Sequence, residues 1–209
     1  MLSVRAIVVL YVALYVAATG ADALSTLVGL RAGGAEFNPH VADGAQAVQW
    51  TRFLGLNALV LLATTLMLGW AWARRDRIDA GRLEAPWRGL YECYTYLNPF
   101  ADRNVPRSAL HLVATAPAII GCKLFVAANN LLVANGVPDP LTPVAHWLSG
   151  RLDDAVAYWC LIVLLWQPFW AASLYATAAA LRNARARQAS FGAATPLSAP
   201  STRDSMLAA

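Results

Sequence analysis

The sequence predicts an all-α, polytopic membrane protein: a four-helix transmembrane bundle with its N- and C-termini on the cytoplasmic side. Two observations carry the fold class. Hydrophobic residues make up 58% of the 209 residues and charged residues only 13%, and the mean hydropathy is +0.47, more apolar surface than a soluble chain of this size buries. Four segments also reach the roughly 20 apolar residues that cross the hydrocarbon of a bilayer, and none shows the ten-residue alternation of a transmembrane barrel.

The first span runs from Arg5 to Leu30, the second from Phe53 to Ala73, the third from Ser108 to Ala134 and the fourth from Ala155 to Leu181. Each is read as a helix, because a chain in lipid must satisfy its backbone hydrogen bonds internally. Arginines set the orientation. Twelve of them (Arg5, Arg74, Arg75, Arg77, Arg82, Arg88, Arg103, Arg107, Arg182, Arg185, Arg187 and Arg203) fall on one side if the N-terminus, the loop 74–107 and the tail share it, against Arg31, Arg52 and Arg151 on the other. That bias predicts that both termini are cytoplasmic. The net charge of +4 is then a topological signal that meets membrane lipid, and no nucleic-acid partner is needed to explain it. A competing reading takes Arg5, the apolar run and Ala21-Asp22-Ala23 as a cleaved signal peptide, but Leu24 to Leu30 extends the run to spanning length.

The loop 74–107 mixes Trp87, Tyr91, Tyr94, Tyr96 and Phe100 with arginines, which suits the headgroup region and a short interfacial helix over 84–97. From Asn183 to Ala209 the chain is Ala, Ser, Thr, Pro and Arg, and a disordered tail is expected. Cys93, Cys122 and Cys160 have neither metal-site nor disulfide spacing.

Within the first span two stripes stand out. Small residues recur at every fourth position, Ala13, Ala17, Ala21, Ser25 and Gly29, and are expected to admit a close neighbouring helix. Beside them lie Tyr11, Tyr15, Ala18, Asp22 and Thr26, a polar stripe that belongs inside a bundle. The single lysine, Lys123, sits mid-span in the third segment with Asn130 seven residues on. Asp22 lies eight residues from the outer end of its span and Lys123 eleven from the outer end of its own, depths of about 12 and 16 Å. A lysine side chain bridges that difference, so the two are expected to pair.

Other polar groups reach similar depth. Asn57 and Thr64 are seven apart in the second span, and Gln167 precedes Pro168 in the fourth. Pro168 frees the carbonyl of Leu164, and Pro117 that of Val113. Outside the membrane, the segment after the first span offers Arg31, Glu36, Asn38, His40 and Asp43 around an Asn-Pro turn, and the next outer loop offers Asp139, His146, Asp153 and Asp154. Glu36, His40, Asp43 and His146 are weak metal candidates, since their spacing matches no established site.

Asp22-Ala-Leu-Ser-Thr26, Gly34-Ala-Glu36-Phe-Asn38-Pro39 and the downstream Lys123 resemble an uncharacterised family of small prokaryotic membrane proteins. Its pattern is an intramembrane D-x-x-x-T, an E-x-N-P turn and a later lysine in a helix. The resemblance covers roughly 9–41 and 117–132; it implies a location in the inner membrane of a prokaryote and a shared site, without supplying a reaction.

No nucleophile elbow, phosphate loop, dinucleotide fingerprint or carboxylate pair with a clear base is present, so no catalytic residue or cofactor is assigned and an enzyme is disfavoured. The expected function is a buried polar site around Asp22 and Lys123 that handles a small ion or polar ligand, with Thr26, Asn57, Asn130, Gln167, Glu36 and Asn38 as further candidates. One alternative is a non-catalytic subunit that docks on a membrane-protein partner or a second copy through the small-residue stripe. Another is a membrane enzyme that acts on lipid-linked substrates at the outer leaflet with Glu36 and His40.

Overall fold

A computed structural model describes residues 2–34, 36–43, 47–80 and 105–193 of the chain. Its helices are α1 (Val4–Arg31), α2 (Trp50–Ala73), α3 (Val105–Ala134), α4 (Leu141–Ser149) and α5 (Asp154–Ala193), with one 3-10 turn at Arg75–Arg77. All but α4 are long and apolar enough to cross a membrane. Among the described residues there is no strand, only an isolated bridge between Ala42 and Val48. The protein is an all-α, multi-pass membrane bundle.

Local chemistry sets the helix ends. The Ser3 hydroxyl accepts from the Ala6 amide at 3.2 Å and caps α1, a task serine performs well. At the far end Gly33 takes φ +89°, and the Gly34 amide turns back onto the Gly29 carbonyl at 3.0 Å. A Cβ on Gly34 would lie 2.9 Å from that carbonyl oxygen, so this exit from the membrane requires glycine. Asp153 starts α5 by accepting from the Ala155 amide at 3.0 Å.

α3 is the hub: it packs against α1, α2 and α5, while α2 also meets α1, and α4 lies on α5. Its sequence explains the role, because buried Ala109, Ala114, Ala116, Ala118 and Ala127 let neighbours approach on several sides. At Gly121 an added Cβ would stand 2.8 Å from the Phe169 ring of α5. Outward, α1 and α2 expose Val9, Leu14, Val16, Leu24, Leu54, Leu59, Leu62 and Leu66, a continuous apolar coat suited to lipid and not to water.

One end of the bundle gathers the start of α1, the 75–80 segment and the last turns of α5. There Trp72 Nε1 donates to the Leu2 carbonyl at 3.0 Å. Arg185 donates to the carbonyls of Arg75 and Ile78 at 2.9 Å, and Arg182 to that of Ala80. The opposite end, called the loop end below, carries the 32–49 and 135–153 connections.

Three expectations need correction. The helix of the fourth span does not stop at Leu181; α5 continues to Ala193, so 183–193 is helical and not disordered. Alanine, arginine and glutamine are strong helix formers, and Arg182 and Arg185 fasten the extension. The expected interfacial helix at 84–97, and the tail beyond 193, lie outside the described residues.

The small-residue stripe is only half used. Ser25 and Gly29 are buried, whereas Ala13 and Ala17 are exposed and Ala21 is partly so. A strict four-residue row turns about 40° round the helix at each step, so it cannot face one neighbour over five steps. The buried line is instead Tyr11, Tyr15, Ala18, Ser25 and Gly29, whose steps of three, four and seven keep one straight face, with Asp22 between Ala18 and Ser25.

Finally, α4 was not anticipated in the second outer loop. Its signal was present in Asp139-Pro-Leu-Thr-Pro, for Asp139 Oδ1 accepts from the amides of Leu141 at 3.0 Å and Thr142 at 2.7 Å. Slight burial pushes the Asp139 carboxyl up, and these bonds with those to Thr142 and Asn129 side chains outweigh it and hold it below the usual range.

Candidate functional site

The straight buried face of α1 builds the site from the membrane interior toward the loop end. Deepest is Tyr11, whose hydroxyl lies 2.6 Å from Thr64 Oγ1 on α2. Thr64 already donates to the Val60 carbonyl at 2.7 Å, which makes Tyr11 the donor. Four residues on, Tyr15 is 1% exposed and donates toward the Asn57 carbonyl at 3.1 Å and its Oδ1 at 3.2 Å.

Asp22 and Lys123 meet in the next layer. Lys123 Nζ lies 3.3 Å from Asp22 Oδ2, and each side chain is 15% exposed, so the pair is largely buried in the bundle yet not sealed. The same ammonium stands 5.4 Å from the centre of the Tyr15 ring, within cation–π reach. Pairing and ring contact both lower the cost of a charge at this depth.

Above the pair, Asn130 of α3 donates through Nδ2 to Ser25 Oγ at 3.3 Å and Thr26 Oγ1 at 3.2 Å. Ser25 in turn donates to the Asp22 carbonyl at 2.9 Å. With both functions engaged, Ser25 is a fastener between α1 and α3 and not a free nucleophile.

The 32–43 segment closes the loop end. Glu36 Oε1 accepts from the Asn38 amide at 2.8 Å, and Asn38 Oδ1 accepts from the His40 amide at 3.0 Å, so each side chain of the E-x-N-P turn shapes the next step of backbone. The His40 ring packs against Tyr158 at 5.8 Å and Trp159 at 5.6 Å, which anchors the segment on α5. Burial pushes the Glu36 carboxyl up, the Asn38 amide draws it partly back, and the charge of Asp22 pushes it up again. Tyr158 lies within electrostatic reach of both acids.

The candidates therefore divide. Asp22, Lys123, Thr26 and Asn130 form one connected group, with Asn57 joined through Tyr15; Glu36 lies within electrostatic reach of Asp22, and Asn38 shapes the turn beside it. Gln167 does not join: no hydrogen bond links it to the pair, and its buried Oε1 has no partner among the described residues. The reason is the architecture, since α1 and α5 pack on α3 from different sides. His40 is an anchor for the loop and His146 lies in α4; among the described residues no three His, Cys, Asp or Glu side chains come together to hold a metal.

Sequence reasoning missed three contributors. Tyr158 lies within electrostatic reach of the two acids, yet an aromatic near a span end reads as an interfacial belt residue. Asn129, buried beside Asn130, accepts from the Leu141 amide at 3.4 Å and ties the start of α4 to α3. Ser25 was placed with the packing residues only.

Chemically, the site offers two carboxyls, one ammonium and several hydroxyls under a structured turn. It can hold charge and exchange protons. Compared with protein-family models, with curated proteins and with solved structures, the chain matches none of them.

Proposed function

We propose that this is a multi-pass protein of a prokaryotic cytoplasmic membrane, both termini cytoplasmic, whose polar site around Asp22 and Lys123 takes a small ion or polar ligand from the loop end. The orientation rests on the arginine asymmetry. The ligand reading rests on one observation: an ion pair at membrane depth that retains 15% exposure on each side chain, within electrostatic reach of a further carboxylate, Glu36. Fixing the register of α1 on α3 requires no such opening, and Asn130 with Ser25 and Thr26 already pins that contact. The D-x-x-x-T, E-x-N-P and lysine pattern, which carries the resemblance to an uncharacterised family, points to the same residues.

Thermal unfolding of the purified chain in mild detergent, against a panel of ions and polar solutes, tests this reading. A ligand that binds only the folded state raises its stability. At least one solute is expected to stabilise the wild type and not Asp22→Asn or Lys123→Met, with a partial return in the double exchange Asp22→Lys/Lys123→Asp. Folded single variants that respond as the wild type does would remove the reading.

A second reading, a non-catalytic subunit of a larger complex, is favoured by the exposure of Ala13 and Ala17, a close-approach surface that the described residues do not fill. Ala17→Leu is expected to abolish co-purification of a membrane partner while the isolated chain stays folded; unchanged association would count against it.

A further inference from the structure

The short helix α4 is fastened beside the membrane spans and not above them. Its first amide, that of Leu141, donates to Asn129 Oδ1 at 3.4 Å, and Asn129 lies five residues short of the end of α3, about 8 Å along the axis. Leu148 packs against Ala157 and Leu161, which stand three and seven residues into α5, about 4 and 10 Å from its start. Beyond Asn129, α3 still exposes Leu131 and Leu132, and α5 exposes Val156 in its first turn. Surface suited to lipid therefore reaches the level at which α4 is held.

At about 100° per residue, α4 has three sides. Leu141, Ala145 and Leu148 form the side covered by α5. About 100° round in one direction lie Thr142, His146 and Ser149, and about 100° round in the other lie Val144 and Trp147. Val144 is 37% exposed and Trp147 57%, so the contact with α5 leaves an apolar flank open opposite a polar one. The Arg151 guanidinium carbon stands 4.6 Å from the centre of the Trp147 ring, and its Nη1 donates to the Trp147 carbonyl at 3.1 Å. Tryptophan at a span end, with an arginine that keeps its charge at the rim, is the pairing that the headgroup level of a bilayer favours.

We infer that α4 is an interfacial helix, seated on the phospholipid of the leaflet at the loop end. Val144 and Trp147 enter the boundary between headgroups and acyl chains, and Thr142, His146 and Ser149 form the side toward water. The seat bears on the bundle through Asn129, whose neighbour Asn130 grips Ser25 and Thr26 of α1. The inference is independent of the ligand reading, since it uses neither Asp22 nor Lys123.

The test places the full chain, with its three native cysteines replaced, in phosphatidylcholine nanodiscs and attaches an environment-sensitive fluorophore at Val144→Cys or at His146→Cys. Both positions are exposed, so the label enters without repacking the bundle. Lipid brominated near the headgroup end of its acyl chains is expected to quench the label at position 144 about twofold more than the label at position 146, and dissolved iodide to do the reverse. Equal quenching by iodide at the two positions would put the flank in water and overturn the inference. A label at position 144 shielded from both quenchers would put a second copy of the chain over the flank and overturn it as well. Either result leaves the ligand reading to be decided by the solute panel.

Discussion

At the scale of single residues, the site shows how membrane depth raises the stakes of each polar atom. Removing one partner of a buried ion pair strands the other, at a cost of about 3 to 5 kcal/mol. Lys123→Met and Asp22→Asn should each lower the unfolding temperature in detergent, and Lys123→Met more, since Asp22→Asn leaves an amide that still meets the ammonium. Equal and negligible shifts would mean that the pair carries no stability. Glu36 has the opposite character. Burial holds its carboxyl above the ordinary 4.5, so the folded chain binds that proton more tightly than the unfolded chain does. The stabilising effect is full below pH 4.5 and is lost as the pH rises through the folded value. Glu36→Gln should therefore flatten the decline in stability between pH 4.5 and neutrality, measured by thermal unfolding at stepped pH; a slope like that of the wild type would show the carboxyl to be freely solvated.

At the scale of elements, α3 is held on two sides. On one side Asn130 grips α1 through Ser25 and Thr26. On the other, Gly121 meets the Phe169 ring, and Gly121→Leu should push α5 away and destabilise the bundle by about 1 to 3 kcal/mol, as overpacking does, detected as a lower unfolding temperature. Ala17→Leu, on the exposed side of α1, should not. The spans were legible because apolar length alone specifies them, and the Asp22–Lys123 contact because depth along two helices is a matter of counting. What counting does not show is how far each helix is rotated. The small-residue row looked like a face until its drift was considered, and Gln167 was expected at a depth similar to the pair's, but α5 lies on the other flank of α3. Tyr158 and α4 were hidden for a different reason: their roles come from where the 32–43 and 135–153 connections settle, which depends on tertiary contacts that no local pattern encodes.

At the scale of the whole molecule, four crossings return the chain to the end where it started, and the start of α1, the 75–80 segment and the C-terminal part of α5 are bonded together there. A membrane-impermeant thiol reagent applied to intact cells should label Val137→Cys, exposed at the loop end, and spare Ser190→Cys in a background with the three native cysteines replaced; the reverse pattern would invert the proposed orientation. The separation of the ion pair along the chain has a further consequence. Lys123 follows Asp22 by 101 residues, about 5 to 20 seconds of ribosomal elongation. Throughout that interval the acid has no partner to receive it in the lipid. The opening helix must wait at the insertion machinery, or carry its acid uncharged, until the third one arrives, which makes assembly of this protein sensitive to the pace of its own translation.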